Sequence, residues 1–322
     1  MMSQHFLLSA KARTLSLVTV ARMTDDQAHA AFVSIRWSDN GGEPYCPRCG
    51  CVALYVLATR KMWECKGCRK HFSVTSGTIF QSRKMAIRDI LLAAAIFANG
   101  AKGHSALQLS RDLDCQYKTA YVMAHKLREA MGDQLAGSTV SGDVEIDGAY
   151  FGGYVKPANL KAHRVDRRLA MNATGKRKVV IVMRQRGGNA LPFVAKLEAS
   201  SVPTIVSHVA PGSVIYADDA AGWNPLHGKF VTKRINHSEC YSDGEACTNG
   251  AESYFSRLRR AEIGTHHHIA GYLDAYAGEM AWRENARRVS NGEQFEMITN
   301  AALVHGVSAK WCGYWQRAQK AA

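Results

Sequence analysis

ACTNGAESYFSRLRRA, residues 246–261, carries an acid at Glu252 and a base at Arg259, seven positions later. Seven residues make about two helical turns, so on a helix the two side chains share a face. The bland reading is a solvated helix with a few charges. The sharper one is a metal ligand followed by a cation that grips a nucleic-acid backbone. Features elsewhere in the chain decide between them.

The charge balance is strongly basic: 41 Lys and Arg against 27 Asp and Glu, net +14, with a pI near 9.4. Such a surplus favours a polyanionic partner, most often nucleic acid. The 322 residues leave room for more than one domain. No apolar run approaches the ~18 residues of a membrane span, so no membrane association is expected. The early apolar stretches LLSA and LSLVTVA are separated by Lys11 and Arg13, so no secretory signal is expected. The expected location is cytoplasmic, with the nucleoid. The nine cysteines are an odd number clustered toward the N-terminus, which points to metal rather than to a secreted disulfide framework.

Cys46-Pro-Arg-Cys49 and Cys65-Lys-Gly-Cys68 are two C-x-x-C knuckles separated by fifteen residues. Each knuckle turns tightly enough to aim two sulfurs at one point, and four thiolates can surround one zinc tetrahedrally. Metal binding then supplies folding energy that so small a unit lacks in its core. The competing readings are a redox pair or an iron–sulfur site. Cys51 lies off the pattern as a spare thiol.

Along the chain, residues 24–37 read as a short amphipathic helix capped by Thr24 or Asp25, and 38–44 as a turn-rich break. Residues 85–99 are strongly helical and stop at Asn99-Gly100. Two helices at about 105–112 and 116–131, split by a short link, suggest a helix-turn-helix whose second helix enters a major groove. Lys118, Tyr121, His125 and Lys126 are its candidate DNA contacts. From residue 139 the period changes. TVSGDVEIDGAYFGG and KVVIVMRQ read as strands, LPFVAKLEA as a hairpin partner across RGGN, and SVIYADDA as another short strand. The Lys/Arg-rich stretch 156–178 reads as a basic loop that touches phosphates. Glu279 and Arg283, four apart on a helix, read as a structural salt bridge. Strands and then helices in one segment suggest an α+β domain.

Asp147 in EIDGAY and Asp218 in IYADDA each end a strand-like run, and Glu252 opens a helix thirty-four positions after Asp218. Carboxylates so placed can converge on a magnesium pair that activates a nucleophilic oxygen and stabilises a leaving one. Asp219 would point to the opposite face from Asp218.

With CPRCG, WECKGCRKHFSVTSGTIFQSRK, EIDGAYFGG, TNGAESYFSRLRR and YLDAYAGEMAWRENARR, the chain resembles bacterial insertion-sequence transposases of the DDE superfamily. The likeness is to the ISXO-like lineage with an N-terminal zinc ribbon and covers roughly residues 24–290. The resemblance implies a ribonuclease H-like α/β catalytic core. It implies an N-terminal helical segment at 1–41, the ribbon at 42–82, a helical DNA-binding segment at 83–135, the catalytic domain at 139–295 and a tail at 296–322. Asp147, Asp218 and Glu252 would hold magnesium or manganese, with Asn249, one turn earlier, as the alternative third residue. Arg259 stands where the family usually has Lys, and Arg257, Arg259 and Arg260 would contact DNA. The implied activity is metal-dependent cleavage of an element's ends and joining to target DNA. The implied partners are terminal inverted repeats, target DNA and at least a second copy of the chain. The alternative is a zinc-ribbon DNA-binding protein without catalysis, or an inactivated transposase remnant. Such a protein has no need of the three acids, all of which are present.

Overall fold

A computed structural model describes residues 5–152, 158–165, 177–235 and 247–320. It comprises two compact units, Met1–Gln134 with Ala286–Ala322, and Leu135–Asn285.

The first unit opens with α1 (Leu17–Ala21) and α2 (Asp25–Arg36). Thr24 and Gln27 form a reciprocal capping box at the start of α2, which satisfies two amides that the first turn would otherwise leave bare. A small antiparallel sheet follows, ordered β1 (Leu54–Leu57), β2 (Met62–Cys65), β3 (His71–Ser73). Its apolar centre is aromatic: Trp63 lies 5.4 Å from Trp37 and 5.6 Å from Phe72, ring centre to ring centre. α3 (Ile87–Asn99) is apolar around most of its circumference, and Ile90, Leu91, Ala93 to Ala95 and Phe97 are all buried. α4 (Ala106–Asp112) and α5 (Tyr117–Asp133) close the N-terminal part, joined by a four-residue link with Asp114 in the left-handed region at φ 46°.

The second unit is a five-stranded sheet covered on both faces. Its strands are β4 (Asp143–Phe151), β5 (Lys178–Gln185), β6 (Ala190–Ala195), β7 (Val214–Asp218) and β8 (Val231–Ile235), and their order is β6-β5-β4-β7-β8. β5 is antiparallel to both β4 and β6, while β4, β7 and β8 run parallel. The helices are α6 (Val202–His208), α7 (Asn249–Ala261) and α8 (Leu273–Asn285). Side-chain alternation along β4 sorts the two cores. Val144 and Ile146 join Ile205 of α6 and Trp223, while Ala149 and Phe151 join Tyr254, Phe255 and Leu258 of α7. Burial on both faces explains the unbroken apolar run in β5.

The chain then returns to the first unit as α9 (Asn291–Val304) and α10 (Tyr314–Lys320). Residues 286–295, grouped from the sequence with the catalytic domain, belong to this unit by contact. Residues 296–322, read as a tail, contain most of α9 and a buried Trp311, 2% exposed and stacked on His125 at 4.3 Å. Most of the basic stretch 156–178 lies outside the described residues. No helix among the described residues is long and apolar enough to cross a membrane.

If 311–315 is part of the fold and not a tail, Trp311→Ala should cost about 3–5 kcal/mol. Thermal unfolding of the full chain reads this directly, and an unchanged midpoint would show that the segment is dispensable.

Candidate active site and metal centre

The ribbon brings the two knuckles together. The sulfurs of Cys46, Cys49, Cys65 and Cys68 all lie within 4.8 Å of one another, with Cys46–Cys68 at 3.7 Å and Cys49–Cys65 at 3.6 Å. Sulfurs bound to one tetrahedral zinc at ~2.3 Å are about 3.8 Å apart, so this set fits zinc as it stands. Local backbone makes the fit. Gly50 N donates to Cys46 O and Arg69 N to Cys65 O, both at 2.9 Å, and both residues closing the turns have positive φ. The Cys68 N–H donates to Cys65 Sγ at 3.4 Å and draws that thiol down to about 6, toward the thiolate that a metal needs. Cys51 is outside the set, its thiol directed to Ala53 O.

In the second unit the ladder register pairs Asp143 to Ile146 of β4 with Val214 to Ala217 of β7. Extending that register by one step sets Asp147 level with Asp218, the last residue of β7. Asp147 shares the β4 face of Ala149 and Phe151, which α7 covers, whereas the carboxylate of Asp218, at the end of β7, meets Trp223 of the other core. Asp147 Oδ1 accepts from Gly148 N at 2.7 Å, and Asp218 Oδ1 from Trp223 Nε1 at 2.6 Å. Glu252 lies in the first turn of α7, exposed, with Thr248 Oγ1 donating to its Oε1 at 3.4 Å. Asp147 and Glu252 line one cleft together with Phe255, Ser256, Arg259 and Arg260. The acid and base of the opening stretch thus share a cleft wall. The Arg259 guanidinium lies 5.8 Å from the Phe151 ring. Asn249 opens α7, exposed and outside the lining of the cleft. Asp219 is 68% exposed and reaches Arg234 at 4.0 Å, away from this face.

Arg257 departs from expectation. It pairs with the buried Glu284 at 2.9 Å, a carboxylate it shares with Arg184, so it is spent on holding α7 to α8 and is not turned to the cleft. Glu279 and Arg283 form their expected i,i+4 bridge at 2.9 Å, with Glu279 fully buried.

Two acids carry positions that no sequence signal exposed. Glu145, on the same face of β4 as Asp147, is buried and accepts from Gly250 N at 2.7 Å and Ala251 N at 3.0 Å. It thereby caps the positive end of α7. Arg186 Nε closes the arrangement on Glu145 at 3.0 Å. A Cβ on Gly250 would lie 2.8 Å from Glu145 Oε2, which is why TNGAE carries glycine there. The second acid, Glu198, lies between β6 and α6. Burial, and then the negative charges of Asp218 and Asp147, raise its carboxyl above the usual range.

The α5 residues divide. Lys118 is exposed and lies 5.2 Å from the Trp315 ring, and Lys126 is half-buried. His125, expected to face DNA, is wholly buried, and Tyr121 packs against Trp311, Tyr314 and Trp315. The correction has a simple cause. Tyr121 and His125 are covered by the C-terminal aromatics, so His125 is a core residue.

Residues 139–285 match the ISXO2-like transposase domain, and residues 23–71 match the transposase zinc-ribbon domain. These two stretches belong to those transposase families. The cysteine centre falls in the ribbon and the carboxylate cleft in the transposase domain. The chain is also similar to the uncharacterized protein in transposable element ISH50 of Halobacterium salinarum. That likeness is 24% identity over 295 residues, spanning 87% of this chain and 98% of the relative. No solved structure matches significantly.

Two outcomes check the geometry. Cys65→Ser should lower bound zinc, measured by elemental analysis, and unfold the ribbon, whereas full zinc retention would place the metal elsewhere. Glu145→Gln should destabilise the transposase domain by about 2–4 kcal/mol, because it strips a charge partner from Arg186 and an anion from a helix start. Urea unfolding with no loss would mean that α7 is held otherwise.

Proposed function

We propose that this protein is an active DDE transposase that cuts the ends of an insertion sequence and joins them to target DNA. The observation that carries the reading is the cleft that Asp147 and Glu252 line together, beside the neighbouring strand β7 that ends in Asp218. The strand order, with three antiparallel strands extended by two parallel ones, supports a ribonuclease H-like core. Asp147, Asp218 and Glu252 would hold magnesium or manganese. Three carboxylates suit a hard divalent cation, and Glu252 suits it better than the neutral amide of Asn249. When bound, such a metal pair activates the attacking oxygen and stabilises the leaving one.

The chain's own residues supply position and charge. Thr248 orients Glu252, Gly148 N and Trp223 orient the two aspartates, and α7 fixes the height of the third acid. Arg259 and Arg260, on the same cleft wall, would take the phosphates that flank the reacting one. Arg keeps the charge of the family's usual Lys and adds a planar fork for two phosphate oxygens. The zinc ribbon and the helical segment would recognise the terminal inverted repeats, with Lys118 and Lys126 as the basic groups available on α5. Cutting two ends in one complex implies a dimer or larger assembly on DNA, in the bacterial cytoplasm at the nucleoid. The net charge of +14 suits binding that weakens steeply with salt.

Strand joining in vitro tests the proposal, using labelled DNA ends from the flanks of the gene and magnesium or manganese. Asp147→Ala, Asp218→Ala and Glu252→Ala should each reduce joining about a hundredfold or more, while Asn249→Ala should retain it. Loss confined to Asn249→Ala would move the third role to that residue. Tight end binding without joining by the unaltered protein would favour the remnant reading.

A further inference from the structure

Exposure along α5 is confined to its two ends. Gln116, which precedes the helix, and Tyr117, Lys118 and Thr119 of its first turn are exposed. From Ala120 to Gly132 every residue is buried or half-buried, and Asp133 ends the helix exposed. The helix therefore cannot lie lengthwise in a groove of DNA. It can enter one tip first, as the second helix of a helix-turn-helix does. The side chains at that tip suit base edges: an amide, a phenol and a hydroxyl, beside one cation in Lys118.

The segment that covers the middle of α5 also frames this tip. Trp315 Nε1 donates to Lys118 O at 3.2 Å, and Lys118 Nζ lies 5.2 Å from the Trp315 ring. Lys310, also exposed, has its Nζ 5.7 Å from the Trp311 ring. Two exposed lysines thus rest on tryptophans of one segment, each steadied by a ring face. Arg317 donates to Cys312 O at 2.6 Å and to Lys310 O at 2.5 Å, so the turn that carries Lys310 is fixed from within. Residues 297–322 contain no Asp or Glu, and this side of the tip brings cations without compensating acids. Of the two acids just before α5, Asp112 pairs with His104 at 2.9 Å. Asp114 takes the left-handed position of the link, which Asp tolerates better than most residues.

We propose that the first turn of α5 and the C-terminal segment 310–315 form one surface for duplex DNA. Gln116, Tyr117 and Thr119 read base edges, and Lys118 and Lys310 hold phosphates. The proposal rests on the reading of the helical segment as a part that binds the element's ends. It adds to that reading the segment that looks like a tail in sequence.

Fluorescence anisotropy of labelled duplexes tests this with the full zinc-loaded chain, over a salt series. Magnesium and manganese are left out, so the carboxylate cleft has no part in the readout. One duplex comes from the flanks of the gene, and the other is an unrelated sequence of equal length. Lys118→Ala and Lys310→Ala should each weaken binding to both duplexes alike and lower the salt slope by about one. Gln116→Ala should cut the preference for the end duplex about fivefold or more, and leave binding to the unrelated duplex within about twofold. All three side chains are exposed, so the unfolding midpoints should stay where they are. If Lys310→Ala keeps the affinity and salt slope of the unaltered chain, the C-terminal segment is a brace alone and the proposal is overturned. A Gln116→Ala variant with full preference for the end duplex would overturn it too. If the unaltered chain does not distinguish the two duplexes, end recognition itself fails and takes the proposal with it.

Discussion

The carboxylate of Glu145 at the start of α7 is the contact on which the cleft depends. β4 carries Glu145 and Asp147 two residues apart, on one face of the sheet. Glu145 takes the first free amides of α7, from Gly250 and Ala251. The helix can then begin at only one height above the strand, and Glu252 follows within its first turn. An anion at a helix start contributes up to ~2 kcal/mol when partly buried. Its larger effect here is geometric, because one strand sets the position of an acid more than a hundred residues later. Arg186 keeps the buried charge of Glu145 compensated, and its guanidinium also lies 3.7 Å from the Tyr216 ring on β7. The same group of residues therefore ties together β4, β5, β7 and α7.

Charge in the transposase domain is segregated. Asp147 and Glu252 stand at the floor and one wall of the cleft. Bases line the outer wall of the same cleft, where Arg259 and Arg260 lie exposed. A metal-bound phosphodiester needs both: hard oxygen ligands beneath the reacting phosphate and cations along its neighbours. Arg257 is one residue off this wall. Its ion pair with Glu284 shows how a helix turn of about 100° per residue separates a binding role from a structural one.

Features encoded by local spacing are legible in the sequence alone. The knuckles of the ribbon follow from two short motifs, because two residues between cysteines leave few ways to aim both sulfurs. The hairpin of β5 and β6 follows from two β-rich runs flanking the turn RGGN, and the capped start of α2 from Thr24. Asp218 and Glu252 can be singled out because one ends a strand and the other opens a helix, whereas Asp147, read from the sequence as ending a strand, lies in the middle of β4, which runs on to Phe151. Glu145 cannot. Its meaning lies in a partner distant in sequence, Gly250, and a lone acid in a strand carries no mark of this. His125 misleads for the complementary reason. Its helix face is polar enough in sequence to suit DNA, and the aromatic residues that cover it lie nearly two hundred positions away in a segment that reads as a tail.

Anomalous diffraction from crystals of the full chain grown with manganese would decide whether the paired aspartates hold metal. Zinc at Cys46, Cys49, Cys65 and Cys68 provides the internal control, distinguished by its own absorption edge. The expected result is a manganese peak between Asp147 and Asp218, within ligand distance of ~2.2 Å from oxygens of both. Full zinc occupancy with no manganese at the aspartates, or manganese held by other residues, would contradict a metal centre at this end of the β4–β7 ladder.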